Sequence, residues 1–185
     1  MSKFKISVEH GKYVIKKNEN PMWRLLIAEG FGEDSGEFLS LHPVEATYLI
    51  MKRRATLDEL DAEESLRKII ADASMGDDLF LTKLIAYLDL RERQYPVRVI
   101  RGKPTCFEVY ERGSNVLIDK PSRLIMVVPA EKSVSIEALD GGLNTAKSMG
   151  IPLVLAIVDQ DGDVVYYRVD STLRFKVSLK LKRGL

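Results

Sequence analysis

Tyr110 and Lys120 stand ten residues apart in the stretch FEVYERGSNVLIDKPSRLIMVV, Phe107 to Val128. The tyrosine closes a strand-like run, a turn follows, and the lysine marks the entry to a second strand. Nuclease chemistry can use such a layout, with one group taking a proton and a fixed cation meeting developing negative charge. The stretch contains no histidine. The chain's two histidines, His10 and His42, lie in an expected turn and before Pro43 at an expected helix start, and both read as structural.

A second cluster is the acidic run Asp159-Gln160-Asp161-Gly162-Asp163. A helix-loop-helix calcium site needs glycine at its sixth position and a bidentate glutamate at its twelfth. Counted from Asp159 those positions hold Val164 and Asp170, and the flanks read as strands, so the calcium pattern fails. Two readings stay open: a hairpin turn with solvated acids, or an acidic plug for a basic pocket on a partner chain. The tail STLRFKVSLKLKRGL sets Leu173, Phe175, Val177, Leu179 and Leu181 on one side, and Arg174, Lys176, Lys180 and Lys182 on the other. Such a strand could track phosphates, or be an edge kept soluble by lysines. The chain has no Gly-rich phosphate loop, no Cys/His metal cluster and no Gly-x-Ser-x-Gly elbow. That argues against metal-dependent and acyl-transfer chemistry, and neither a metal nor a cofactor is expected.

The elements that must position these residues can be read from patterning. The chain has 185 residues, 45% hydrophobic and 30% charged, with a formal net charge of +1. This is a globular composition long enough for one or two cores. Bulk charge favours neither nucleic acid nor membrane, so any basic surface must be local. The one cysteine, Cys106, excludes an internal disulfide framework and reads as core. No apolar run is long enough to span a bilayer, and the N-terminus lacks a signal-peptide core, so a cytoplasmic protein is expected.

Phe4, Ile6 and Val8 alternate, His10-Gly11 turns, and Tyr13 to Ile15 returns. WRLLIAEG reads as a further strand, and GFGEDSGE as an acid-rich loop. HPVEATYLIMKRR reads as a helix with Val44, Tyr48 and Met51 on one face. TLDELDAEESLRKIIADAS reads as a second, capped by Asp58, with Leu66, Ile69, Ile70 and Ala73 inward. DDLFLTKLIAYLDLRERQ is a third, with Leu81, Leu84, Ile85 and Leu88 as its stripe. After Pro96 the order is three strands, a helix weakened by Gly141-Gly142, and two strands. The expected fold is an α+β domain over residues 1–76. An α/β domain, a mixed sheet with flanking helices, follows over residues 77–185.

Three pieces in this order resemble the archaeal tRNA-splicing endonuclease family. LHPVEATYLIMKRR is similar to its N-terminal helix signature. AYLDLRERQYPVRVIRGKPTCFEVYERG resembles its Asp-Leu-Arg-x-Arg helix and the strand pair ending in Tyr-x-Arg-Gly. PLVLAIVDQDGDVVYYRV resembles its closing hairpin. The resemblance implies a restriction-endonuclease-like C-terminal domain and metal-independent cleavage of RNA. The ribose 2′-OH attacks the adjacent phosphate, leaving a 2′,3′-cyclic phosphate and a 5′-OH.

The family uses tyrosine, histidine and lysine as base, acid and fixed cation. By the resemblance these positions fall on Tyr110, Lys120 and Ile151, so one of three is kept. Lysine is in general a far weaker acid than histidine, and isoleucine stabilises no charge. Loss of one electrostatic donor alone typically costs about 10²–10³ in rate. Lys147, one helical turn before Ile151, is displaced too far to substitute. The resemblance therefore implies a non-catalytic subunit in an (αβ)₂ heterotetramer with a catalytic chain, acting on pre-tRNA at bulge-helix-bulge motifs. In such assemblies the acidic loop, here Asp159, Asp161, Gly162 and Asp163, docks into the opposite dimer. The C-terminal strand, here Leu173, Phe175, Val177 and Leu179, pairs with the catalytic chain. Lys120, Arg174, Lys176, Lys180 and Lys182 are candidate RNA contacts. A divergent nuclease using Tyr110 and Lys120, or a plain RNA-binding module, are the alternatives.

Overall fold

A computed structural model describes residues 3–101 and 106–169. The N-terminal hairpin forms as its pattern dictates. β1 (Phe4–Glu9) and β2 (Lys12–Lys16) pair antiparallel, Glu9 opposite Lys12. His10 and Gly11 carry positive φ of 51° and 73°, the conformation a two-residue hairpin turn demands.

Trp23–Ala28 is a helix, α1, and not the expected strand. The Asn20 carbonyl accepts from the Trp23 N–H and the Met22 carbonyl from the Leu25 N–H, which starts the coil. Leu26 alone is fully buried. A short apolar run carries too few residues to reveal its period. The acid-rich segment is also not a loop. Glu33–Ser35 is β3, folded on β4 (Phe38–Leu41) around Gly36. Leu39 and Leu41 are buried, and pairing overrides the weak strand propensity of the acids.

The helix α2 (Pro43–Met51) begins at His42, whose Nδ1 accepts the Val44 N–H, while the Glu45 carboxylate accepts the His42 N–H at 2.7 Å. The inward residues are Val44, Ala46, Leu49 and Ile50; Met51, expected on one face with Val44 and Tyr48, is 46% exposed. Ala55–Leu57 forms β5, parallel to β1. α3 (Ala62–Gly76) therefore starts later than expected and is capped by Asp61, which accepts the Glu64 N–H at 2.9 Å. Asp58, the expected cap, takes positive φ after β5 and donates its N–H to the Ile6 carbonyl. The first sheet runs β3-β4-β2-β1-β5.

α4 (Phe80–Glu92) buries Phe80, Leu84, Tyr87 and Arg91, whereas Leu81, expected on the stripe, is 53% exposed. The second sheet contains β6 (Val97–Ile100), β7 (Cys106–Val109), β8 (Arg123–Pro129), β9 (Leu153–Val158) and β10 (Val164–Val169), in the order β10-β9-β8-β7-β6. Among its described strands only β8 and β9 pair in parallel, joined over the sheet by α5 (Ile136–Met149). The glycine pair does not break α5; Gly142 is buried on its inner face, where a Cβ would meet Met126 Sδ and Leu153 at an ordinary contact distance of 3.4 Å. Gly150, left-handed at φ 67°, ends α5. Cys106 lies in the core beneath this helix, and burial pushes its thiol up to about 11. The chain is thus two domains, a mixed sheet with helices and then a mixed five-stranded sheet with flanking helices.

One side chain pins them together. Arg91 Nη1 donates to the Glu29 carbonyl at 2.8 Å and Nη2 to the Val97 carbonyl at 2.8 Å. Nη2 also donates to Tyr87 Oη, and the guanidinium lies 3.9 Å from the Phe31 ring centroid. No helix among the described residues is long and apolar enough to cross a membrane.

Candidate functional site

Sheet register brings the three singled-out positions to one end of the second sheet. Val109 faces Arg123 across β7 and β8, and the Ser122 N–H donates to the Val109 carbonyl at 2.8 Å. Leu124 faces Leu153, and its N–H donates to the Pro152 carbonyl at 3.0 Å. Tyr110, the turn carrying Lys120, and Ile151 therefore share this end.

Tyr110 sits one residue past β7, its N–H held by the Pro96 carbonyl at 3.0 Å. It is 3% exposed, and its hydroxyl donates to Glu108 Oε2 at 3.0 Å. Glu108 also faces Arg98 across the hairpin, 3.9 Å from Nη1. Burial first, and the Glu108 carboxylate second, push the phenol up to about 12. A general base must shed its proton before it can take another. This phenol is held protonated by a carboxylate.

Lys120 does not begin the next strand, because β8 starts only at Arg123. It is exposed in the preceding turn. That turn is ordered by its own side chains: Asp119 Oδ2 accepts the Asn115 N–H at 2.7 Å, and Asn115 Oδ1 accepts the Leu117 N–H at 3.0 Å. Ile151 packs half-buried against the core under α5, its N–H on the Ala146 carbonyl. Lys147 is exposed on the last turn of α5. An apolar side chain thus stands at the position where the resemblance expects a fixed cation.

Sequence reasoning missed the neighbourhood of this end. Arg112 and Arg123 each place a guanidinium 5.1 Å from the Tyr95 ring centroid, and Arg123 pairs with Glu111 at 2.6 Å. Tyr95 lies before β6, Glu111 and Arg112 after β7, and Arg123 at the start of β8, so no spacing marks them. The Arg98–Glu108 pair was legible once the hairpin register was known. Nearby, Trp23, Arg24, Arg98 and Leu117 line a cleft of about 300 Å³ between the domains.

The acidic hairpin joins β9 to β10. Asp159 Oδ1 accepts the Asp161 N–H at 3.0 Å and the Asp163 N–H at 2.9 Å, so Asp159 builds the turn. Asp161 and Asp163 are exposed, and Gly162 supplies the positive φ of 86°. β10 is held on α4 by Tyr166, whose hydroxyl donates to Asp89 Oδ2 at 2.6 Å, leaving Val165 and Tyr167 outward. The expected pairing strand Leu173, Phe175, Val177 and Leu179, and the cations Arg174, Lys176, Lys180 and Lys182, lie outside the described residues.

Residues 6–70 match the family described as tRNA intron endonuclease, N-terminal domain, and residues 80–166 match tRNA intron endonuclease, catalytic C-terminal domain. Curated relatives bear the name tRNA-splicing endonuclease. One from Pyrococcus furiosus is 31% identical over 162 residues, covering 88% of this chain and 93% of the relative. One from Thermococcus onnurineus is 31% identical, covering 90% and 94%. One from Methanococcus vannielii is 35% identical over 140 residues, covering 75% and 78%.

Proposed function

The chain belongs to the tRNA intron endonuclease family, and we propose that it serves there as a non-catalytic subunit of an (αβ)₂ heterotetramer. Its catalytic partner would cut introns from pre-tRNA at bulge-helix-bulge motifs, and this chain would position that partner. The observation that carries the reading is the state of the sheet end. Ile151 packs half-buried against the core at the position where the resemblance expects a cation, and the Tyr110 hydroxyl donates a hydrogen bond to the half-buried Glu108. Metal-free cleavage by 2′-OH attack needs a base able to accept a proton, an acid for the 5′ oxygen and a charge stabiliser. At the sheet end the Tyr110 phenol is held protonated, the Phe107–Val128 stretch has no histidine, and the position expected to carry the fixed lysine holds Ile151.

The acidic turn supports the assembly part of the reading. Asp159 orders the backbone and leaves Asp161 and Asp163 exposed for a basic pocket on the opposite dimer. Val165 and Tyr167 add an apolar face beside it. The test is co-assembly with a homologue that keeps tyrosine, histidine and lysine. By mass in solution, the mixture forms a tetramer of equal parts, and Asp161→Lys reduces it to heterodimers. A tetramer indifferent to Asp161→Lys contradicts the docking role.

A second reading, a divergent nuclease using Tyr110 and Lys120, is favoured by the match of residues 80–166 to the catalytic domain. Tyr110→Phe in the assembled complex separates the two. The subunit reading expects the cleavage rate to stay within about twofold, whereas loss of a catalytic proton-transfer group costs about 10²–10⁴.

A further inference from the structure

The charged groups around the Tyr110 end of the sheet are unequally committed. Glu108 accepts from Tyr110 and faces Arg98; Glu111 pairs with Arg123 at 2.6 Å; Asp119 holds the Asn115 N–H at 2.7 Å. Arg112 and Lys120, by contrast, make no ion pair or hydrogen bond among the described residues, although both are exposed and directly follow Glu111 and Asp119 in the chain. Arg112 is supported from below by the Tyr95 ring, 5.1 Å away, which steadies a planar guanidinium while leaving its N–H edge unspent. The turn that carries Lys120 is ordered in advance by Asn115 and Asp119, and is tied to the N-terminal domain where the Val116 N–H meets the Ala28 carbonyl at 2.9 Å. Two unspent cations on a pre-ordered turn suit a phosphate, because little ordering entropy remains to be lost on binding.

We propose that the β7–β8 turn is a phosphate-binding surface, on which Arg112 and Lys120 hold a stretch of pre-tRNA backbone that this chain does not cut. The inference rests on the subunit reading and gives the sheet end a holding role where it has lost the cleaving one. Arg112 supplies a fork for two phosphate oxygens, and Lys120 a point charge for the same or the next phosphate. Leu117 and Ile118, exposed at the tip, would instead suit a protein contact.

The experiment titrates a bulge-helix-bulge pre-tRNA against the assembled complex over a range of salt concentrations. The complex carries this chain unaltered, as Arg112→Ala/Lys120→Ala, as Arg112→Lys/Lys120→Arg, or as Lys132→Ala in a different exposed turn. The double alanine variant should bind roughly tenfold more weakly at low salt. Its slope of log affinity against log salt should be shallower by about 1.5, the share of two phosphate contacts. The charge-keeping swap and Lys132→Ala should retain the parent slope. Unchanged affinity and slope in the double alanine variant overturns the proposal. Loss of the tetramer in that variant also overturns it, assigning the turn to a protein interface. Failure of the unaltered chain to assemble with a catalytic partner overturns the subunit reading instead, and the same titration on the free chain then tests the turn alone.

Discussion

Whether a tyrosine can act as a base depends on what holds its proton, and Glu108 holds that of Tyr110. Ile151 stands out in the sequence through the resemblance alone, which expects a cation at that position, and its half-buried packing under α5 comes from the fold. The partner of Tyr110 was not legible in the sequence, because strand alternation sets Glu108 and Tyr110 on one face but does not say that the hydroxyl donates to that carboxylate. Glu45 is a second buried group invisible to patterning. Its carboxylate accepts the Gly32 and His42 N–H groups at 3.1 and 2.7 Å, and burial, opposed by those donors and by Arg91 and Arg101, pushes it up to about 7. His42, the neighbouring titratable side chain, is pushed down to about 4 by burial and by Arg101 and Lys83. A carboxyl raised on folding contributes stability that is full below its ordinary value of 4.5 and lost as pH rises through about 7. Urea midpoints measured from pH 4.5 to 8 should therefore fall more steeply in the parent than in Glu45→Gln. Equal slopes for the two would show that the two backbone donors outweigh burial.

At the scale of elements, the sequence reading succeeded where a segment was long or strictly alternating and failed where it was short. The C-terminal strands and α5 stand where their apolar runs place them. α1 was mistaken for a strand because six residues fit either period. α3 was started too early because Thr56 and Leu57 belong to β5, a pairing with β1 that no local pattern announces. The loop after α1 shows why such errors matter for the site. Gly30 has φ 88°, and a Cβ there would lie 2.8 Å from the Val97 carbonyl of β6. This is the contact that lets the N-terminal domain sit against the sheet end. Gly30→Ala should cost on the order of 1–3 kcal/mol from backbone conformation alone, with more from the clash. Chemical denaturation measures it, and a loss below about 0.5 kcal/mol would mean the two domains can separate locally without penalty.

For the whole molecule, Arg91 and the aromatic contacts Phe31–Tyr48, Tyr48–Tyr87 and Tyr87–Phe107 run as one core from the first domain into the second. The fold is therefore intact around the sheet end, as the proposed positioning subunit requires. The direct measurement is single-turnover cleavage of a bulge-helix-bulge pre-tRNA in the presence of a chelator. It compares this chain alone with its mixture with a catalytic homologue. The account predicts no product from the pure chain, and 2′,3′-cyclic phosphate and 5′-OH ends from the mixture. Such ends produced by the pure chain, and abolished by Tyr110→Phe, would contradict it.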